Sequence, residues 1–248
     1  MRPVEPVLSV DDLRLSFQGI QAIAGVSLTL ASREILGIIG PNGAGKTTFV
    51  SMICGRIPPT SGRVIFKGRE ITRVPAHARV GLGIAYTFQL VSIFRNLTVY
   101  ENVALAVQRR LVRHSLDAIK DNPRALTAEV EGALAEVEFS PPDDRPAGTL
   151  AHGHQRLLEV AMALALHPEL LILDEPTQGL APEEIAGLGA LIRRITGNVT
   201  VLLIEHNMEV VLGLSQRVTV MNWGDIIAEG TPQEIEANPE VQRVYLGQ

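Results

Sequence analysis

The 248 residues of the chain suffice for one large α/β domain with a hydrophobic core of its own. Hydrophobic residues make up 46% of the sequence, yet no apolar run approaches the ~20 residues that a membrane-spanning helix needs. The net charge of -5 excludes the overall positive field of a nucleic-acid-binding protein, so no nucleic-acid partner is expected. The single cysteine, Cys54, excludes an intramolecular disulfide, and the absence of a signal-peptide pattern predicts a cytosolic chain.

The apolar pattern predicts secondary structure in three stretches. The first is rich in β-strands, which alternate polar and apolar residues over 8–17 and 25–30 and become wholly apolar over 35–39. The second, residues 100–138, repeats apolar residues at helical spacing and ends in a proline-rich loop at 140–146. The third contains helix 155–166, strand 170–173, helix 182–194 and strand 199–204. Strands that alternate with helices predict a parallel sheet.

Residues 40–47 read Gly-Pro-Asn-Gly-Ala-Gly-Lys-Thr, a complete G-x-x-x-x-G-K-S/T phosphate loop between an apolar strand and a predicted helix at 48–54. Its glycines let backbone N–H groups turn toward phosphate oxygens, and the helix adds its positive end. Lys46 is expected to reach the β- and γ-phosphates of ATP, and the Thr47 hydroxyl to bind Mg²⁺. The predicted nucleotide contacts are Asn42, Gly43, Ala44, Gly45, Lys46, Thr47 and Thr48. A glycine-rich turn with a chance lysine is the alternative interpretation.

Two adjacent carboxylates, Asp174 and Glu175, follow the apolar strand at 170–173. They fall at the carboxyl edge of the predicted sheet, where open α/β folds bind their ligands. Asp174 is predicted to hold Mg²⁺, and Glu175 to orient and deprotonate the water that attacks the γ-phosphate. A solvated strand end is the alternative for this pair.

With these motifs in this order, nearly the whole chain resembles the ATP-binding subunits of ABC transporters, which are P-loop NTPases. The resemblance implies an α/β fold with a parallel-sheet core, an N-terminal antiparallel β subdomain and a helical subdomain. It further implies a single ATP-binding domain over 1–248. In that domain 1–99 and 158–248 form the core with the β subdomain, and 100–157 form the helical subdomain.

Three more residues gain a role from the resemblance, although each alone would be an ordinary structural residue. Phe17 is similar to the aromatic residue that stacks on adenine in this family. Gln89 resembles a mobile glutamine that contacts Mg²⁺ and the attacking water, and His206 resembles the histidine that contacts the γ-phosphate. The implied catalytic residues are therefore Glu175, His206 and Gln89, and the implied metal ligands are Thr47, Gln89 and Asp174.

The signature element of the family, usually L-S-G-G-Q at a helix start, contacts the γ-phosphate bound by the opposite subunit. Here residues 150–154 read Leu-Ala-His-Gly-His, so the implied contacts are Ala151, His152, Gly153 and His154. Ala151 lacks the usual hydroxyl, which removes about 1 kcal/mol or more of contact with a charged acceptor. The histidines either replace the lost donors or are surface residues. Residues 178–181, Gln-Gly-Leu-Ala, replace the common S-A-L-D, which implies weaker communication between the two sites.

Within the family, residues 79–89, 94–103, 204–208 and 229–247 look like the uptake subunits for branched-chain and other hydrophobic amino acids. Groups for urea, amides, aromatic acids and lipopolysaccharide share these phrases in part. The implied cofactors are ATP and Mg²⁺. The implied partners are a second ATP-binding subunit, either a copy or a paralogue, a membrane permease and, indirectly, a substrate-binding protein. The implied location is the cytoplasmic face of the inner membrane.

The resemblance also implies a groove for a permease helix between residue 89 and the helical stretch. Ile93, Phe94, Leu97 and Val99 are expected to supply its apolar contacts, with a strip of core residues as the alternative. For Arg109, Arg110 and Arg113 a solvated helical face is preferred. Trp223 and Cys54 are expected to pack in the core. A soluble ABC ATPase that remodels DNA or ribosomes is the alternative function, but such proteins usually carry two nucleotide domains or a long coiled coil.

Overall fold

A computed structural model of the chain describes residues 6–112, 123–139 and 146–246. Its strands are β1 (Leu8–Phe17), β2 (Ile20–Leu30), β3 (Ile35–Ile39), β4 (Ser61–Phe66), β5 (Arg69–Glu70), β6 (Ile84–Thr87), β7 (Leu170–Asp174), β8 (Thr200–Ile204), β9 (Arg217–Asn222) and β10 (Asp225–Gly230). Its helices are α1 (Lys46–Ile53), α2 (Ala76–Val80), α3 (Val99–Val112), α4 (Pro123–Glu136), α5 (His152–Leu164), α6 (Pro182–Ile195), α7 (Met208–Leu214), α8 (Pro232–Glu236) and α9 (Pro239–Leu246). Arg113 and most of the proline-rich loop at 140–146 lie outside the described residues.

The larger sheet has six strands in the order β10-β9-β3-β8-β7-β6. The five strands from β9 to β6 are parallel, and only β10 runs antiparallel, at one edge. Every residue of β3, β7 and β8 is buried, as expected for strands that are covered on both faces. The predicted parallel-sheet core is confirmed.

The smaller sheet is antiparallel, with the strand order β2-β1-β4-β5. Its buried face shares one hydrophobic cluster with α1 and with one face of the larger sheet, so Phe49 of α1 packs between the two sheets. The predicted N-terminal antiparallel β region is therefore confirmed, and the helix that follows the phosphate loop is anchored on both sides.

Helices α3, α4 and α5 pack on one another and confirm the helical character of the middle stretch. They share a second hydrophobic cluster with α6 and with the other face of β7 and β8, where Val103, Val130 and Leu158 meet Leu171 and Leu203. The division of the chain at 100 and 157 into subdomains stays a prediction, because these helices share their core with the sheet.

Helix α5 begins at His152, three residues earlier than predicted, because the Gly-His pair of 153–154 is part of its first turn. The Gln155 side chain then turns back and donates to the Leu150 carbonyl oxygen at 2.8 Å. In the part of the chain that the structure describes, no helix combines the length and apolar content needed to cross a bilayer.

Of the two residues predicted to pack in the core, one does so. Cys54 is buried at the end of α1, and burial raises the pKa of its thiol to about 12. The prediction for Trp223 is wrong, since its side chain is 83% exposed. The reason is local: Trp223 has a φ of 49° and forms the turn between β9 and β10, where the indole points away from the sheet.

Candidate nucleotide site

The candidate site lies at the carboxyl edge of the parallel sheet. Strands β3, β8, β7 and β6 are neighbours in this order and run in the same direction. The phosphate loop follows β3, His206 follows β8, Glu175 follows β7, and Gln89 follows β6. The topology therefore gathers four segments, which are far apart in sequence, at one edge.

The phosphate loop has the open, curled backbone that its glycines predict. Gly43 and Gly45 have φ values of 81° and 96°, in the left-handed region that other residues rarely adopt. A Cβ on Gly45 would also lie 2.9 Å from a methyl carbon of Ile23. Asn42 and Gly43 are exposed, and α1 begins at Lys46. The loop thus presents backbone N–H groups and a helix N-terminus to one concave surface.

Lys46 is buried within this loop. Its Nζ donates to the carbonyl oxygens of Gly40, at 2.6 Å, and Pro41, at 3.2 Å. Burial lowers the pKa of the ammonium group, while the carboxylates of Glu175, Asp174 and Glu205 act in the opposite direction. The structure therefore holds a cation at the base of the loop, within the electrostatic influence of three carboxylates.

Asp174 ends β7 as a buried carboxylate. Its Oδ2 accepts a hydrogen bond from the Tyr86 hydroxyl at 2.6 Å. Its Oδ1 is buried and has no hydrogen-bond partner among the described residues. Burial raises the pKa of Asp174, and the hydrogen bond from Tyr86 partly offsets this. The unpaired Asp174 oxygen and the exposed Thr47 hydroxyl are both oxygen ligands of the kind that Mg²⁺ takes.

The three predicted catalytic side chains meet at one carboxylate oxygen. Gln89 Nε2 donates to Glu175 Oε2 at 2.8 Å, and His206 Nδ1 lies 3.8 Å from the same oxygen. Glu175 has a φ of 47°, and its backbone N–H donates to the Ile204 carbonyl oxygen at 2.8 Å. This strained backbone directs the carboxylate along the sheet edge toward Gln89 and His206.

The third carboxylate, Glu205, is fully buried beside His206 and has no predicted role. Its Oε1 accepts hydrogen bonds from the Thr177 backbone N–H, at 2.9 Å, and from the Thr177 hydroxyl, at 2.6 Å. Glu205 therefore ties the segment after β7 to the segment after β8. No short motif marks this contact, which joins residues 28 positions apart.

The loop that carries Gln89 is held by α5 through a buried ion pair. Arg156 Nη1 donates to Glu159 Oε2 and to the Phe88 carbonyl oxygen, both at 2.7 Å, and Nη2 donates to the Gln89 carbonyl oxygen at 2.8 Å. Glu159 Oε1 in turn accepts from the backbone N–H groups of Phe88 and Ser92. Glu159 is a functional residue without a predicted role, although its position three residues after Arg156 in an apolar helix is a usable signal.

The predicted signature residues lie at the start of α5. Ala151, His152 and His154 are exposed, whereas Gly153 is buried and a Cβ there would meet the Glu184 carboxylate. The structure gathers these residues around the segment 178–184 rather than around the phosphate loop. The His154 ring makes an edge contact with Phe139, with 5.9 Å between ring centroids. The side chains of Ala151, His152 and His154 are therefore accessible at the surface.

Two family profiles match the chain. The profile described as ABC transporter matches residues 23–178, and one described as branched-chain amino acid ATP-binding cassette transporter matches residues 226–248. The chain belongs to the ABC transporter ATP-binding family. The chain is therefore an ATPase that binds nucleotide and hydrolyses ATP to ADP and phosphate, and the loop at 40–47 stays the predicted nucleotide site.

Relatives support the same family over the full length. The chain is 40% identical to the high-affinity branched-chain amino acid transport ATP-binding protein BraF of Pseudomonas aeruginosa, with 98% of each chain covered. It is 38% identical to LivG of Escherichia coli, which has the same description, with 98% of this chain and 99% of the relative covered. A crystal structure of the ADP conformation of the ABC transporter cassette MJ1267 aligns with a TM-score of 0.84 at 28% identity, covering 98% of this chain and all of that one.

Phe17, which is predicted to stack on the base, is the last residue of strand β1. It is 52% exposed and pairs with Ile20 at the end of the β1–β2 hairpin. Strand β2 then continues to Ala22, whose carbonyl oxygen would lie 3.1 Å from a Cβ on Gly45. The hairpin therefore leads directly to the phosphate loop.

The cassette also has an apolar groove of about 530 Å³ between its sheet and its helices. Tyr86, Phe88, Leu105 and Met162 are among the residues that line it. Of the four predicted groove residues, Phe94 lines it, and Ile93 and Leu97 are partly buried. Val99 follows the core alternative, because the first turn of α3 directs this side chain into the core.

The two described arginines of α3, Arg109 and Arg110, differ in their surroundings. Arg109 is exposed and lines the groove. Arg110 is not solvated as predicted, since its side chain is 18% exposed and Nη2 lies 2.6 Å from Glu129 Oε2. The sequence could not show this ion pair, because Glu129 lies on a different helix, α4.

Proposed function

We propose that this chain is the Mg²⁺-dependent ATPase subunit of an importer for branched-chain or other hydrophobic amino acids. The single observation that supports this type of cargo is the match of residues 226–248 to the branched-chain amino acid profile. BraF and LivG, which carry the same transport description, support it because they align with the chain over its whole length.

The phosphate loop and the β1–β2 hairpin bind ATP in this proposal. The N–H groups of 42–48 and the Lys46 ammonium hold the phosphates, and Phe17 stacks on the base. Lys46 first has to exchange its bonds to the Gly40 and Pro41 carbonyl oxygens for phosphate oxygens. Its charge then neutralises the negative charge that develops on the transferred phosphoryl group.

Thr47, Asp174 and the Gln89 amide oxygen would hold Mg²⁺. The Asp174 Oδ1 atom is available for this, because Tyr86 occupies only Oδ2. When bound, Mg²⁺ supplies positive charge to the β- and γ-phosphate oxygens. The cost of burying the Asp174 carboxylate without a counterion is then reduced in the nucleotide complex.

Glu175 is the general base for the attacking water. Its Oε2 already accepts a hydrogen bond from Gln89 and lies near His206 Nδ1, so the three side chains surround one position at the sheet edge. A water at this position is oriented by Gln89 and His206 and loses its proton to Glu175. Glu205 and Thr177 hold the two segments that carry Glu175 and His206 in register.

A second ATP-binding chain, either a copy or a paralogue, completes the site in this proposal. Its residues 151–154 would approach the γ-phosphate from the side opposite the phosphate loop. The exposed start of α5 supports this, because backbone N–H groups there remain open to an anion. Closure of the pair around ATP then drives the permease, and hydrolysis resets it.

The apolar groove receives the permease in this proposal and holds the chain at the cytoplasmic face of the inner membrane. Phe88 belongs to the groove and precedes Gln89, so the loop that contacts Glu175 also contacts the permease side. A substrate-binding protein on the other side of the membrane selects the cargo, which never touches this chain.

The test is uptake of radiolabelled leucine, isoleucine and valine by cells whose only copy of the chain carries Lys46→Ala. Uptake should fall by at least tenfold, since one lost charge contact at a phosphate costs about 1.5–3 kcal/mol. The matched control is Lys67→Ala, an exposed lysine that pairs with Glu169. Unchanged uptake of all three amino acids in the Lys46→Ala cells would contradict the proposed cargo.

A further inference from the structure

Tyr86 is a residue of β6 whose hydroxyl group reaches the end of the neighbouring strand β7. Tyr86 is in register with Ile172 of β7. Because alternate residues of a strand share one face, Asp174 lies on the same face as Ile172, and the Tyr86 side chain extends along it. The hydroxyl donates to Asp174 Oδ2 at 2.6 Å, a short distance that is typical of a charged acceptor. The contact joins residues 88 positions apart, so no local motif marks it.

The Tyr86 hydroxyl is a permanent donor at this position. A phenol is protonated at neutral pH, and burial of Tyr86, together with its hydrogen bond to Asp174, raises its pKa further. An ionised carboxylate, in contrast, only accepts hydrogen bonds. The hydrogen bond therefore has one direction, from Tyr86 to Asp174.

The Tyr86 ring is held in place by two other side chains. It makes an edge-to-face contact with Phe88, with 4.8 Å between ring centroids and an interplanar angle of 84°. The Arg56 guanidinium lies 5.5 Å from the centroid of the Tyr86 ring and 5.0 Å from that of Phe88. Arg56 Nη1 also donates a long hydrogen bond of 3.4 Å to the Tyr86 hydroxyl oxygen. These contacts keep the hydroxyl beside Asp174.

Tyr86 thereby makes the two oxygens of Asp174 different. The terminal torsion of an aspartate side chain has a broad range, so a carboxylate without partners can rotate. In the structure Oδ2 is bound to Tyr86, whereas Oδ1 is buried and has no partner among the described residues. The hydrogen bond fixes the rotation of the carboxylate and leaves one buried oxygen for a cation.

We infer that Tyr86 is a positioning residue for Mg²⁺, because it holds Asp174 Oδ2 and leaves Oδ1 as the oxygen that the metal can take. The inference rests on the proposed function, in which Asp174 holds Mg²⁺ in the ATP complex. Loss of a residue that orients a metal ligand typically costs tenfold to a hundredfold in metal affinity. Tyr86 is therefore expected to strengthen ATP binding only when Mg²⁺ is present.

The first test measures the Mg²⁺ gain, which is the ratio of the ATP affinity in Mg²⁺ to the ATP affinity in EDTA. Equilibrium dialysis gives both affinities in the Glu175→Gln variant, at a protein concentration where light scattering shows a monomer. Tyr86→Phe removes only the hydroxyl and should lower the Mg²⁺ gain by about tenfold. The ATP affinity in EDTA should not change, since the phosphate loop is intact.

Tyr100→Phe is the matched control, because the Tyr100 hydroxyl lies 3.2 Å from the Thr127 hydroxyl, between two helices. It should leave the Mg²⁺ gain at the parent value. An unchanged Mg²⁺ gain in Tyr86→Phe would overturn the inference. This includes the case in which the ATP affinities in Mg²⁺ and in EDTA fall equally, as they would if the variant were poorly folded.

A double-mutant cycle separates positioning from a purely structural role. In the Asp174→Ala background no carboxylate is left to be held, so Tyr86→Phe should leave the Mg²⁺ gain unchanged there. A tyrosine that only stabilised the end of β7 would affect both backgrounds alike. An equal fall of the Mg²⁺ gain in the two backgrounds would therefore overturn the inference.

Failure of the inference is distinguishable from failure of the proposed function. If Asp174→Ala lowers the Mg²⁺ gain and Tyr86→Phe does not, the inference fails and the proposed role of Asp174 is supported. If Asp174→Ala leaves the Mg²⁺ gain at the parent value, Asp174 does not hold Mg²⁺. That part of the proposed function then fails, and the inference fails with it.

Discussion

The carboxyl edge of the sheet and the start of α5 are both assigned to ATP, but they are built differently. At the sheet edge, Lys46 and Asp174 are buried, and their charges are held by backbone carbonyls or by Tyr86. At the start of α5, Ala151, His152 and His154 are exposed. The first region is already desolvated, and the second is open. In the proposed function, one chain supplies two half-sites, a buried half at the sheet edge and an open half at the start of α5, which a second chain brings together.

The largest expected effect is on ATP hydrolysis at the sheet edge, the buried half-site. Glu175→Gln should lower the rate of ATP hydrolysis by about 10²–10⁴-fold, because it removes the general base. ATP affinity should stay within a few-fold, since the phosphate loop is unchanged. Phosphate release in single-turnover conditions measures the first quantity, and equilibrium dialysis with ATP measures the second. Glu183→Gln, an exposed acid on α6, is the control. Hydrolysis near the native rate in Glu175→Gln would exclude Glu175 as the base.

The next largest effect is expected at Arg156, which connects α5 to the loop that carries Gln89 at the sheet edge. Arg156→Lys keeps the charge but loses the planar fork that holds the Phe88 and Gln89 carbonyl oxygens, so Gln89 should be misplaced. We expect kcat to fall on the order of tenfold to a hundredfold at nearly constant KM, since small misplacements of catalytic groups are costly. Steady-state kinetics separates the two parameters.

Stability has to be separated from positioning in this experiment. The double variant Arg156→Met/Glu159→Leu replaces the buried ion pair by apolar groups and should fold with a Tm near the native value. It should still have a low kcat, because neither side chain then holds the Gln89 loop. Native kcat in a stably folded double variant would show that the ion pair serves only the core.

A smaller effect is expected on the stability of the nucleotide-free protein. Burial raises the pKa of Asp174 above its value in the unfolded chain, so the native state gains protons first as pH falls. At neutral pH the carboxylate is charged, so its burial lowers the free energy of unfolding most there. Asp174→Asn should raise Tm at pH 7 by about 2–4 °C for each kcal/mol regained. This difference should shrink as the pH approaches 4. Calorimetry without nucleotide measures the difference in Tm. Asp225→Asn is the control, because Asp225 is exposed. A lower Tm for Asp174→Asn than for the native chain at pH 7 would contradict the account.

The smallest effect sharpens the description of the open half. Ala151→Ser adds a hydroxyl where the family usually has one, which is worth about 1 kcal/mol of phosphate contact. In the Glu175→Gln background, this should lower the dimer Kd in ATP by about thirtyfold, since both chains of the dimer gain the contact. Light scattering against protein concentration measures the change. No change, or weaker association, would show that His152 or His154 already supplies this contact.

The sequence predicted those features of the site that depend on contiguous residues. The phosphate loop and the carboxylates after β7 were predicted because each is a local motif at the end of an apolar strand. Glu205, the Arg156–Glu159 pair and the exposure of Trp223 were not, since each depends on a contact or a turn that forms between distant segments. The sequence also could not decide whether Val99 lines the groove or packs in the core. Apolar side chains of a groove and of a core look alike until the helix orientation is known.

The central claim is that complementary half-sites are completed between chains, and mixing two inactive variants tests it directly. Lys46→Ala disables the phosphate loop but leaves the start of α5 intact. His152→Asp places a carboxylate against the γ-phosphate, at a helix start where aspartate is otherwise favourable for folding. An equimolar mixture should recover about a quarter of the native rate, because half of its dimers are mixed and each holds one complete site. A mixture no more active than its separate components would contradict the account.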